Sequence, residues 1–159
     1  MLLEGSFDYR NLTMKYKGLR LKFYSIEDVY TLSSIFVDSI YDKFNFHGKC
    51  VVDIGAYIGG SSIFFARKGA RKIIAFEPNP TIFEVLLENI KVNNFENIIK
   101  AYNIAVGEVG TITLYIPQCP LGATTLIEKV KARSYNNVNT VKVKSISIKE
   151  VIQKEILIS

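Results

Sequence analysis

The sequence predicts an α/β fold: a mostly parallel sheet with helices on both faces. Two observations carry this. Between Lys49 and Val106, apolar runs of strand length alternate with segments of helical spacing, and strands alternating with helices imply βαβ crossovers. The first of these strands also runs straight into a glycine-rich turn, GAYIGG, before the next helical segment. Glycines there let the backbone leave the strand sharply and let a ligand approach it closely. At 159 residues and 18.0 kDa the chain is long enough for one domain with a real core, and 48% hydrophobic against 22% charged residues excludes a disordered chain.

In order along the chain, NLTMKYKGLRLKFY alternates and breaks at Lys17-Gly18, which predicts a β-hairpin. Lys15 and Lys17 share one face of it, as do Arg20 and Lys22. SIEDVYTLSSIFVDSIYDKF follows with Ser25 and Asp28 at capping-box spacing. Ile26, Val29, Tyr30, Val37, Ile40 and Tyr41 then predict one amphipathic helix ending before Gly48. Strands are expected at Lys49–Ile54, Lys72–Phe76 and Asn97–Val106, with helices at Ser61–Lys68 and from Pro80. Asn79 is the N-cap of the latter helix, and Ile82, Phe83, Leu86, Leu87 and Ile90 are its apolar stripe. After Gly107, Thr111–Ile116 and Thr140–Ser145 read as an added edge strand or hairpin, joined by a polar loop through Gly122, Thr124 and Asn136-Asn137. Ser147 with Glu150 caps a short helix through Gln153, and EILIS starts another strand. The expected division is residues 1–48 as a hairpin and helix packed on the same domain, and 49–159 as the ligand-binding core.

Several function classes fall away. Cys50 and Cys119 match no metal or redox spacing, and one histidine gives no basis for a histidine-rich metal centre. No apolar run approaches the roughly 20 residues of a transmembrane helix. The start, MLLEGSFDYR, lacks a basic segment followed by an apolar one, so no signal peptide is expected and the expected address is the cytoplasm. A net charge of +5 permits phosphate or RNA binding without demanding it.

In open α/β sheets ligands sit beyond the carboxyl ends of the strands. That puts Asp53 to Gly60 and Glu77 on the functional edge and His47 at the opposite end. Gly59 and Gly60 lead into a helix N-terminus suited to an anionic group. Glu77, just past the second strand, can accept from both hydroxyls of a ribose. The turn is not G-x-G-x-x-G, and no G-K-[ST] follows, which argues against a dinucleotide and excludes a Walker A loop. Asp53, two residues before Gly55, is a poor neighbour for a pyrophosphate. It suits a ligand carrying an ammonium and a sulfonium, which points to S-adenosylmethionine.

VVDIGAYIGGSSIFFARKGA followed by IIAFEPNP resembles the FkbM-type family of S-adenosylmethionine-dependent methyltransferases, with its D-x-G-A-N-x-G turn and F-E-P strand end. SIFVDSIYDKF, IAVGEVGTITLYI and LGATTL extend the resemblance over roughly Ile35 to Ile158. It implies a Rossmann-like class I methyltransferase fold, truncated after about the fourth core strand. It implies Asp53, Gly55 and Gly59 around the methionine part of the cofactor, with Ala56, Tyr57 and Gly60 in the same turn. Glu77 is implied on the ribose beside Pro78 and Asn79, and Ala105 and Val106 near the adenine. Tyr57 departs from the pattern, which has asparagine there.

The resemblance also implies a strand reading K-I-D-x-E-G-A-E after EILIS. Without it no general base is assignable, and no catalytic residue is named. The expected function is methyl transfer to oxygen of a small molecule or sugar. The alternatives are a non-catalytic relative that keeps the fold and, less favoured, an RNA-associated protein. The expected partner besides a small-molecule acceptor is a second copy of the chain, through an exposed sheet edge or apolar face. Neither a membrane nor a nucleic acid is expected.

Overall fold

The protein is described by a computed structural model covering residues 5–117 and 138–153. The polar loop with Gly122, Thr124 and Asn136-Asn137, the LGATTL segment, Cys119 and EILIS all lie outside the described residues.

The N-terminal layer is a three-stranded antiparallel sheet, β1 (Gly5–Asp8), β2 (Thr13–Tyr16) and β3 (Leu19–Lys22). The expected hairpin is β2–β3. Its turn, Lys17-Gly18, has φ of 45° and 85°, the doubly left-handed conformation of a two-residue loop that matches strand twist. Met14, Leu19 and Leu21 face inward, while Lys15, Arg20 and Lys22 share the outer face. The strand β1, unforeseen from the sequence, completes the sheet.

The next helix, α1, is shorter than expected and presents another face. It runs only over Asp28–Phe36 and buries Leu32, Ile35 and Phe36. Tyr30 is 77% exposed and Ile26 57%, so the expected stripe is out of phase. The left-handed backbone at Ser39 (φ 55°) separates Ile40 and Tyr41 from the helix whose pattern they extended. The capping box is half formed. The Ser25 hydroxyl has no partner, whereas the Asp28 carboxylate accepts from the N–H groups of Tyr24 (2.7 Å) and Ser25 (2.9 Å).

The parallel sheet has the order β4 (Cys50–Ile54), β5 (Lys72–Phe76), β6 (Ile99–Tyr102), joined by α2 (Gly60–Arg67) and α3 (Pro80–Val92). Asn79 caps α3, accepting from Thr81 N–H, with Pro80 at the first helical position as expected. Ile73, Ala75 and Ile99 pack with both crossover helices and the N-terminal layer in one continuous apolar core. The other face carries Ile74 and Phe76, covered among the described residues by Val151 of the one-turn helix α4 (Ile148–Val151). The Ser147–Glu150 capping box of α4 forms as read.

The expected third strand is interrupted. Asn103 follows β6, and Ala105–Val106 (β7) pairs in parallel with β9 (Val138–Ile146), which pairs antiparallel with β8 (Gly110–Pro117). The β8–β9 pair is therefore the added hairpin, forming a three-stranded sheet with β7 beside the parallel one. Among the described residues no helix is long and apolar enough to cross a membrane.

One device joins the layers. The Asn89 side chain accepts from Lys22 N–H (2.6 Å) and donates to Lys22 C=O (2.8 Å); Asn93 does the same with Arg20 N–H (2.9 Å) and C=O (2.6 Å). Four residues along a helix advance about 6 Å, close to the ~6.6 Å between alternate strand residues. Two side-chain amides, one on α3 and one at its C-cap, thus act as the missing neighbour of β3, closing an edge that would otherwise be unpaired.

Candidate cofactor site

The turn after β4 is anchored to the end of β5. Gly55 and Ala56 both donate to the Phe76 carbonyl at 2.9 Å, and Gly59 N–H returns to Ala56 C=O at 2.8 Å. Register pairs Asp53 with Ala75 and Ile54 with Phe76, so Asp53 and Glu77 lie at the carboxyl ends of adjacent strands. Asp53 Oδ2 accepts from the Ser61 (2.7 Å) and Ser62 (2.6 Å) hydroxyls in the first turn of α2. Glu77 is buried, and its two oxygens divide two backbone donors: Asn79 N–H to Oε1 (2.7 Å) and Tyr57 N–H to Oε2 (3.0 Å). Burial pushes the Glu77 carboxyl above its ordinary range. The two N–H bonds pull it back in part, and the negative charge of Asp53 raises it further.

The expected site residues do different work. Gly55 has φ of 78°, is exposed, and would point a side chain into open space. Gly59 (φ 87°) and Gly60 are buried: a Cβ on Gly59 would come within 2.5 Å of Leu86 on α3, and one on Gly60 within 3.0 Å of Leu32 on α1. Their glycine identity thus serves helix packing. Ala56 is buried in the same core. Tyr57 has φ of 53°, and its hydroxyl donates to Asp28 at 2.7 Å. Pro78 and Asn79 carry the chain from Glu77 into α3. Ala105 is packed with Leu114 and Val143, whereas Val106 is half-buried against the Ile74–Phe76 face.

Sequence reading missed four contributors. Ser61 and Ser62 orient Asp53, and their position immediately after the glycines was the available signal. Asn103 donates to the carbonyls of Glu77 (2.9 Å) and Pro78 (3.0 Å), pinning the turn that presents the carboxylate. Asp28 left only a capping pattern to read. His47 lies beside Gly69, after α2, at the other end of the sheet as expected. A depression of about 430 Å³ bordered by Lys15, Lys17 and Arg20 is on the hairpin, away from this edge.

The donor set suits S-adenosylmethionine. Each Glu77 oxygen takes one backbone N–H and keeps a lone pair for a hydroxyl. Asp53 Oδ1 takes no hydrogen bond from the described residues, leaving it for a cationic donor. The helix α2 begins with no side-chain cap, so its first N–H groups and dipole are available to a carboxylate.

Comparison with known proteins gives the family. The model of the TRM5/TYW2 methyltransferase domain matches residues 38–134. Methyltransferase sdnD of Sordaria araneosa is 35% identical over 123 residues, 73% of this chain and 47% of that protein. The tRNA(Phe) (4-demethylwyosine(37)-C(7)) aminocarboxypropyltransferase of Pyrococcus horikoshii is 44% identical over 56 residues, 35% of this chain and 20% of that protein. The chain therefore spans about half the length, or less, of these curated relatives. Among solved structures, P. horikoshii TYW2 in complex with MeSAdo is 28% identical, with 58% of this chain and 35% of that one covered and a TM-score of 0.45. Methanocaldococcus jannaschii Trm5 in complex with adenosine is 23% identical, with 65% and 41% covered and a TM-score of 0.43. The methyltransferase reading of the motifs stands, and the matching family model is TRM5/TYW2 where the motifs resembled the FkbM type. The chain belongs to the TRM5/TYW2 methyltransferase domain family, S-adenosylmethionine-dependent enzymes of Rossmann-like fold.

Proposed function

We propose that this chain carries the cofactor site of a methyltransferase acting on a hydroxyl oxygen of a small molecule or sugar. The observation behind the reading is the carboxylate pair Asp53 and Glu77, on adjacent strand ends either side of Gly55, each with acceptor capacity to spare. Glu77 takes the ribose hydroxyls, beside Pro78 and Asn79. Asp53, Gly55 and Gly59 surround the methionine part, Ala56, Tyr57 and Gly60 complete the turn, and Ala105 and Val106 border the adenine. When bound, S-adenosylmethionine supplies an electrophilic methyl group. The chain's own residues bind and orient: Asp53 offsets the ligand's positive charge, and Glu77 fixes its ribose. Oxygen as the acceptor is supported by the FkbM-type resemblance of GAYIGG and F-E-P. Methyl as the group moved is supported by the sdnD match, the longer of the two curated ones.

An RNA acceptor is the second reading. It is favoured by Lys15 standing directly opposite Arg20 across β2–β3, both exposed. Like charges so placed repel, and a phosphate between them would relieve this. The Pyrococcus relative is named for action on a tRNA.

Calorimetric titration with S-adenosylhomocysteine tests the site. Binding is expected, and Glu77→Ala, which removes charge-assisted bonds to two hydroxyls, should weaken it by at least about tenfold. No binding at millimolar ligand overturns the reading. Label from methyl-labelled cofactor should then appear on hydroxyl compounds; label on RNA instead selects the second reading. Binding without transfer to either selects a non-catalytic relative.

A further inference from the structure

Building on that cofactor site, we propose that Tyr57 is a positioning residue: it ties the start of α1 to the ribose-side carboxylate and so sets how Glu77 is presented. Tyr57 occupies the left-handed region at φ 53°, where a bulky side chain is a genuine outlier. Asparagine, the residue the FkbM-type pattern has here, visits that region unaided because its short amide bonds locally. Tyrosine needs an external hold.

Asp28 supplies it. This carboxylate is 3% exposed, and Oδ2 is committed to the N–H groups of Tyr24 and Ser25. Its Oδ1 therefore has a set direction, along which the Tyr57 hydroxyl donates at 2.7 Å. A hydrogen bond to an ionised acceptor is roughly twice as strong as a neutral one. The other end of the same residue reaches the site, since Tyr57 N–H donates to Glu77 Oε2 at 3.0 Å. The side chain thus pulls toward α1 while the peptide N–H is aimed at Glu77. Cutting the first bond frees the backbone to leave the left-handed region, and the N–H turns away from Oε2. Glu77 then keeps only Asn79 N–H, and its carboxylate is free to rotate away from where two ribose hydroxyls would meet it.

The test combines two variants and a double-mutant cycle. Tyr57→Phe removes only the hydroxyl. It should raise the Kd for S-adenosylhomocysteine about tenfold, as expected for loss of one charge-assisted bond's hold on the site. In a Glu77→Ala background the same change should have little further effect, because the tie acts through Glu77. Tyr57→Asn, which sustains the left-handed backbone by itself, should bind within about threefold of wild type. In ligand-free protein, amide exchange at Tyr57 should quicken in Tyr57→Phe and not in Tyr57→Asn. Unchanged affinity and exchange in Tyr57→Phe, or losses that simply add with Glu77→Ala, overturn the proposal. If wild type binds no S-adenosylhomocysteine, the cofactor reading fails instead. The exchange comparison, which needs no ligand, then decides whether Tyr57 orients this turn.

Discussion

Glu77 meets opposed demands at the scale of single residues. Burial and the nearby Asp53 raise its pKa, while Asn79 and Tyr57 N–H bonds favour the ionised form without restoring the ordinary value. A carboxyl raised in the folded state holds its proton where the unfolded chain has lost it. Its contribution to stability therefore falls as pH rises from the ordinary glutamate value through the raised one. Denaturant unfolding at a series of pH values should show this slope in wild type and not in Glu77→Gln. Ligand binding should respond in the opposite sense. The ionised form accepts the two hydroxyls, so affinity for S-adenosylhomocysteine should decline as pH drops below the raised pKa, by up to about tenfold per unit. A flat profile in calorimetry would contradict this.

At the scale of elements, the link between α3 and β3 rests on polar side chains that an apolar-stripe reading passes over. Asn89 is fully buried and makes bonds to Lys22 N–H, Lys22 C=O and Ile58 C=O. Replacing it with Leu keeps the volume but strands three backbone groups, so Asn89→Leu should cost about 2–4 kcal/mol in urea unfolding, well beyond a surface change on the same helix. The α3 start was legible because Asn79-Pro80 is a local signal: a cap and a preset φ act within one turn. The extent of α1 was not. Ile40 and Tyr41 continue the 3.6-residue pattern past the left-handed Ser39, and pattern alone cannot register a backbone reversal. Which face of α1 is buried was decided by Gly60 and the hairpin packing against it.

For the whole molecule, the parallel sheet ends in β4 on one side and β6 on the other. Strand β4 pairs with β5 on one side and with no described strand on the other, and Ile54 at its carboxyl end is 52% exposed. Among the described residues this edge is open to pairing with another strand. The two-fold dimer proposed from the sequence would cover it, and light scattering should return a mass near twice 18.0 kDa. A monomer mass would remove the dimer without touching the cofactor site. Charge is unevenly placed. Asp53 and Glu77 share the carboxyl edge, while Lys15, Lys17 and Arg20 gather on the hairpin.

The sequence by itself determined the strand–helix alternation, the hairpin at Lys17-Gly18, the cap at Asn79 and the meeting of Asp53 with Glu77. Each of these follows from local periodicity, or from the rule that adjacent parallel strands end on one edge. Only the tertiary structure decided what the glycines and polar side chains are for. Gly59 and Gly60 make room for Leu86 and Leu32, Ser61 and Ser62 hold Asp53, and Asn103 braces the turn at Glu77. Tyr57, an odd residue in a glycine turn, became intelligible through Asp28, 29 positions earlier. Close approach and hydrogen bonding between segments distant in sequence leave no periodic trace, because they depend on which surfaces the chain brings together.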